Sequence, residues 1–134
     1  MSAAPHHRPI PEPDPRRTLG AAGEQLAAAH LSRLGYAVVE RNHRTRWGEI
    51  DIIAHAPGIL VFVEVKTRRA SGRAGSPFDA VDPRKQAQVR RMAAAWLARV
   101  SDRPRAQDLR FDVIGVIVDD AGRLQELDHR EGVF

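Results

Sequence analysis

Residues 48–68 read GEIDIIAHAPGILVFVEVKTR. Two extended runs, about Glu49 to Ala54 and Leu60 to Arg68, flank a Pro57-Gly58 turn. The second run is apolar at both parities over its first half, which predicts a central strand covered on both sides. Side chains alternate along a strand. Glu49 and Asp51 therefore share one face of theirs, and Glu64 and Lys66 share the face of Leu60 and Phe62. Asp51 and Glu64 lie 13 residues apart, a separation that suits adjacent antiparallel strands joined by a short turn and can bring the two carboxylates side by side.

Upstream, Trp47-Gly48 marks a turn from an earlier strand at about Ala37 to Asn42. Before it, Leu19, Leu26, Ala27, His30, Leu31 and Leu34 fall on one face of a helix predicted from Thr18 to Leu34, with Gly35 as its C-cap. Gly20 and Gly23 lie near that face, where close packing on a sheet would account for them, and Glu24 sits at the edge of the stripe. Downstream, Thr67 to Val81 reads as a loop carrying Arg68, Arg69 and Arg73. Asp82 and Pro83 supply the N-cap and first position of a second helix, with Val89, Met92, Ala93, Trp96 and Val100 as its buried stripe. A strand at Arg110 to Val118, a turn at Asp119 to Gly122 and a last short strand near Leu124 to Leu127 follow. The order is α-β-β-β-α-β-β, an α/β fold with a mixed central sheet flanked by two main helices. Residues 1–17, with five prolines, read as a disordered leader, and residues 18–134 as a single domain.

The chain has 134 residues and no cysteine, which excludes disulfides, thiolate zinc sites, iron–sulfur clusters and thiol catalysis. No apolar run approaches the length of a membrane span, and the N-terminus has no secretory h-region, so the cytoplasm is the expected location. A net charge of +4 permits binding to a polyanion. Of the 21 basic residues only Lys66 and Lys85 are lysine. A lysine is a compact charge with a movable proton, whereas arginine stays charged.

Two acids and an amine on neighbouring strands need compensation, because burying an unpaired carboxylate costs several kcal/mol or shifts its pKa. One solution is an ion pair of Lys66 with Glu64 or Asp51. The other is a divalent cation, Mg²⁺ or Mn²⁺, held by one or two carboxylates together with waters and phosphate oxygens. Spacing alone leaves both open.

Gly23-Glu24-Gln25-Leu26-Ala27, Arg41-Asn42, Gly48 to Ile53, Phe62 to Arg68 and Phe111-Asp112-Val113, taken in order, resemble the YraN-type family of uncharacterised bacterial proteins. That family is similar to restriction endonucleases and archaeal Holliday-junction resolvases, the PD-(D/E)xK nucleases. The resemblance implies a restriction-endonuclease-like fold and metal-dependent hydrolysis of phosphodiester bonds in DNA, with branched or damaged DNA as a substrate class. It implies Asp51 and Glu64 as metal ligands, the Val65 carbonyl as a further ligand, Glu24 as an acid brought in by the first helix, and Lys66 as the catalytic lysine. Ile50 stands where the usual pattern has proline. By analogy with junction-cutting relatives it also implies a homodimer.

Other residues carry weaker signals. Arg41, Arg44 and Arg46 lead into the Asp51 strand, and Arg68 and Arg69 leave the Lys66 strand, so both runs are expected to touch phosphates. Lys85 and Gln86, in the first turn of the second helix, face the same way as Val89 and Met92 and serve either as polar capping residues or as nucleic-acid contacts. Glu49 reads as a supporting acid or an exposed strand end, and Trp47 as a stacking surface for a base or as sheet-edge packing. Asp112 reads as structural, and His43, His55 and His129 have no metal-ligand spacing. DNA is the expected partner, with RNA an open alternative. A module that binds nucleic acid or a protein partner without catalysis, and a scaffold in which the acids form only an ion network, are the competing readings.

Overall fold

The computed structural model describes residues 15–72 and 83–133. The expected leader up to residue 14, Arg73 and the Asp82 N-cap lie outside these residues. Helix α1 spans Pro15–Arg33, with a proline where a helix tolerates one, and so starts inside the stretch read as leader. Strands β1 (Ala37–Thr45), β2 (Gly48–Ala56) and β3 (Ile59–Arg69) follow, then α2 (Pro83–Arg99), β4 (Asp108–Val118) and β5 (Leu124–Arg130). The expected element order stands, and β5 runs further than its sequence signal.

The five strands form one mixed sheet in the order β1-β2-β3-β4-β5. Only β3 and β4 are parallel, in register from Ile59–Asp108 to Arg69–Val118. A parallel pair needs a crossover, and α2 lies within it. The β1–β2 and β2–β3 hairpins close through tight turns in which Gly48 and Gly58 have positive φ.

The sheet is covered on both sides, as the doubly apolar β3 run requires. On one face α1 packs Ala27, Ala28 and Leu31 against Ile52, Ala54, Val61, Val63, Ile114 and Val116. On the other, α2 packs Val89, Met92, Ala93 and Trp96 against Ile50, Ile53, Leu60, Phe62 and Phe111. There the Phe62 ring meets Trp96 edge-on, centroids 5.9 Å apart, and stacks on Phe111 at 5.5 Å. Gly23 lets α1 approach closely, because a Cβ there would overlap the Thr67 side chain. Gly20 has no such role: nothing lies within 4 Å of a Cβ built on it.

Asp112 is fully buried on the α1 side, in register with Val63 of the central strand. It accepts a bidentate pair from Arg110 at 2.8 and 2.9 Å, a bond from His129 at 2.8 Å and the Gly132 N–H at 3.0 Å. His129 in turn meets His30 of α1 at 3.0 Å. Burial pushes the Asp112 carboxyl up, but these donors together hold it below its ordinary range. The structural reading of Asp112 holds. His129 is part of its cage, a role its sequence spacing did not signal.

No helix among the described residues is long and apolar enough to cross a membrane.

Candidate metal and phosphate site

The site lies where β2 and β3 part. Their ladder runs from Ala56–Ile59 to Ile52–Val63. Just past its last pair the Asp51 carboxylate accepts the Val65 N–H at 2.7 Å. The N–H and C=O of one strand residue point the same way, so the Val65 carbonyl faces the same gap. On the other side of β2, Asn42 sits at φ 54° between the Arg41–Ile52 and His43–Ile50 pairs. Asparagine tolerates this left-handed conformation better than most residues. Alternation along β2 breaks at this level. Ile50 belongs to the α2-side core and Ile52 to the α1-side core, although their parity is the same.

The break brings β2 acids toward α1. Glu24, Glu49 and Asp51 each offer a carboxylate oxygen, and these oxygens all lie within 4.8 Å of one another. The Asn42 side chain hydrogen-bonds Glu24. Burial, then the nearby Glu49, raises the Glu24 carboxyl above its ordinary range, against that bond and Arg41. Asp51 is perturbed further. Burial raises it most, the Val65 N–H opposes this, and the charges of Glu24, Glu49 and Glu64 bring it to about 7.

Glu64 is held differently. Its Oε1 is 3.4 Å from Lys66 Nζ and 3.1 Å from Lys85 Nζ, while its Oε2 is buried with no hydrogen-bond partner. Glu49 connects the two halves, since it joins the Asp51 cluster and also lines a small cleft with Glu64, Lys85, Val89 and Met92. Of the expected set, Asp51, Val65 and Glu24 come together at this gap, while Glu64 stands on the α2 side with the two lysines and reaches Asp51 through its charge. The tightest acidic group takes Glu49 beside Glu24 and Asp51, where Glu64 was the expected member.

The basic candidates divide. Arg41 lies 4.0 Å from Glu24 and donates to Gln25 at 3.1 Å, and Arg44 lies 3.9 Å from Glu49. Gly20, Ala21, Glu24, Asn42, Arg44 and Glu49 line an open cavity of about 320 Å³ against the acids. The space above Gly20 is part of this entrance. Arg46 lies over the Trp47 ring, 4.5 Å from its centroid, in a separate cavity. Arg68 is half-buried at the end of β3, and Arg69 lines another cavity beside Asp119 and Asp120, so Arg69 is not gathered with the acids. Gln86 is half-buried beside Lys85, and it is Gln88 that crosses to the β1–β2 turn, donating to the Trp47 carbonyl. Gln88 carries no sequence signal, and Asn42, the expected end of the first strand and part of the Arg41-Asn42 match, carries no sign of its bond to Glu24.

The donor set suits a hard divalent cation. It consists of carboxylates and a carbonyl, with one buried oxygen left unsatisfied and one carboxyl pushed up to about 7 by burial and then by its acidic neighbours.

The model of the Uncharacterised protein family UPF0102 matches residues 23–116. The chain is similar to UPF0102 proteins of Mycobacterium avium (49% identical, covering 88% of this chain and 91% of the relative) and Pelobacter propionicus (44%, covering 91% and 85%). A UPF0102 protein of Geobacter sulfurreducens is 47% identical over 83% of this chain and 86% of its own length. The chain belongs to this family.

Proposed function

We propose that this member of the family is a Mg²⁺- or Mn²⁺-dependent endonuclease that hydrolyses phosphodiester bonds in DNA, acting in the cytoplasm on branched or damaged substrates. The observation that carries the reading is the uncompensated charge at the gap between β2 and β3. Three carboxylates crowd within 4.8 Å, Asp51 is brought to about 7, and Glu64 keeps a buried oxygen without a partner. In a purely structural ion network each acid would have its cation. Here Glu24 and Glu49 have only distant arginines, both lysines go to one oxygen of Glu64, and among the described residues no cation pairs with Asp51.

Asp51, Glu64 and the Val65 carbonyl would hold the ion, with Glu24 and Glu49 beside them. When bound, the ion supplies a lowered pKa for its water and positive charge against the phosphoryl oxygens. The chain does the rest. The Val65 N–H fixes the Asp51 carboxylate in orientation. The Lys66 ammonium, on the same strand face as Glu64, orients the attacking water or neutralises charge on the pentacovalent oxygens. Arg41 and Arg44 stand at the entrance to meet the flanking phosphates. Water adds to phosphorus, the P–O bond to the departing strand breaks, and that oxygen leaves as an alcohol after taking up a proton.

The test is nicking of supercoiled plasmid and cutting of four-way junctions by the purified chain in Mn²⁺. Cleavage is expected in Mn²⁺ and absent in EDTA. Lys66→Ala should lower the rate by about 100-fold or more while DNA binding persists. Binding without cleavage across metals and substrates would leave the non-catalytic module as the reading.

A further inference from the structure

A separate cavity lies between the β1–β2 turn and α2, with a volume of about 280 Å³ and lined by His43, Thr45, Arg46, Trp47, Ala95 and Arg99. Its floor is apolar, formed by the indole and the Ala95 methyl, and its rim is basic. No acid lines it among the described residues. Its volume is near the lower end of small-molecule sites, enough for one planar heterocycle and too small for a duplex.

The backbone that carries the indole is fixed before any ligand arrives. The Trp47 backbone N–H donates to Thr45 Oγ1 at 3.0 Å, Thr45 Oγ1 donates to the Gly48 carbonyl at 3.0 Å, and the Trp47 backbone carbonyl accepts from Gln88. Gly48 packs closely under α2, since a Cβ there would press on the Gln88 amide. The turn is thus clamped to α2. Arg46 already lies over the indole, a face that attracts a flat cation and equally suits a flat base. A base entering there would take the guanidinium's place or slide between the two groups, and the exposed Arg46 and Arg99 would remain at the rim to meet its phosphate. On the same α2 side Glu49 and Glu64 line the small cleft with Met92, one helical turn before Ala95, so the cavity neighbours the half of the proposed cleavage site that carries Glu64.

We propose that this cavity binds one unpaired nucleobase of the DNA strand next to the scissile phosphate, stacked on Trp47 with its phosphate between Arg46 and Arg99. The proposal rests on the nuclease reading for its ligand and narrows the substrate to DNA with a base out of its stack, as at a junction, bulge or flap.

Trp96→Phe leaves Trp47 as the sole indole. In that background, in Ca²⁺, a duplex with one unpaired base should quench the Trp47 emission and bind about tenfold more tightly than the matched fully paired duplex. Ala95→Glu, which places a carboxylate in the cavity without altering the turn, should abolish both the quenching and the preference. Trp47→Leu should bring the affinity ratio toward one, with unchanged circular dichroism as the check on folding. Equal binding of both duplexes, or a preference that survives Ala95→Glu and Trp47→Leu, would overturn the base pocket while leaving the nuclease reading in place. Failure to bind either duplex would overturn both.

Discussion

Asp51 is where the proposed metal chemistry and the stability of the metal-free protein meet. Its carboxyl is held at about 7 in the folded chain, against 3.8 for an ordinary aspartate. A folded state that binds a proton more tightly than the unfolded chain is favoured at low pH. The contribution is fully present below about 3.8 and is lost as the pH rises toward about 7. Metal-free protein should therefore melt at a lower temperature at pH 8 than at pH 5. Asp51→Asn removes the titrating charge and keeps an acceptor for the Val65 N–H. In EDTA at pH 8 this variant should melt higher than the parent, and Mn²⁺ should stabilise only the parent. Calorimetry at the two pH values decides it. A variant that melts lower at pH 8 would mean that Asp51 is the anionic partner of a structural ion pair, and the metal site would fall.

At the level of elements, α1 matters because it carries Glu24 to β2. Gly23 sets that distance, since a Cβ there has no room beside Thr67. Gly23→Ala gains helix propensity of about 1 kcal/mol but overpacks a stiff β-branched neighbour, typically at a cost of about 1–3 kcal/mol. Because the helix must lift for the methyl to fit, the variant should lose Mn²⁺ affinity more than it loses stability. Titration calorimetry with Mn²⁺ beside a thermal melt separates the two. Unchanged Mn²⁺ binding would show that Glu24 is not needed at the site. The β2–β3 hairpin and the two covered faces of β3 were readable from the sequence, because apolar parity and the Pro57-Gly58 turn are local signals. Gly23 carried a readable packing role, but Gly20 carried the same signal and stands over open space. The partnership of Glu24, Glu49 and Asp51 was not readable as such. Strict alternation gives Ile50 and Ile52 one face, and only the left-handed Asn42 opposite shows that the strand turns there. The length of β5 was hidden too. Its outer part is held by His129 reaching the buried Asp112 of β4, a tertiary contact with no local pattern.

Over the whole molecule the formal charge of +4 favours DNA, yet the proposed cleavage site is locally acidic. Glu24, Glu49 and Glu64 all act on Asp51 there, and Arg41 and Arg44 stand 4.0 and 3.9 Å from Glu24 and Glu49. Exposed pairs at such distances are worth little, but they direct the guanidinium groups toward acids and away from an approaching strand. A divalent ion on the carboxylates removes the repulsion and frees both arginines for phosphates. Binding of DNA should therefore depend on the ion even where no cleavage follows. At fixed ionic strength, anisotropy with a labelled junction should show about tenfold tighter binding in Ca²⁺ than in EDTA. The salt slope should steepen by about 0.9 for each arginine released to a phosphate. Arg41→Ala with Arg44→Ala should remove most of the added slope. Asp51→Asn, with one acid fewer, should bind better than the parent in EDTA and gain little from Ca²⁺. Equal affinity in Ca²⁺ and EDTA would place the DNA on some other basic surface, away from the gap between β2 and β3.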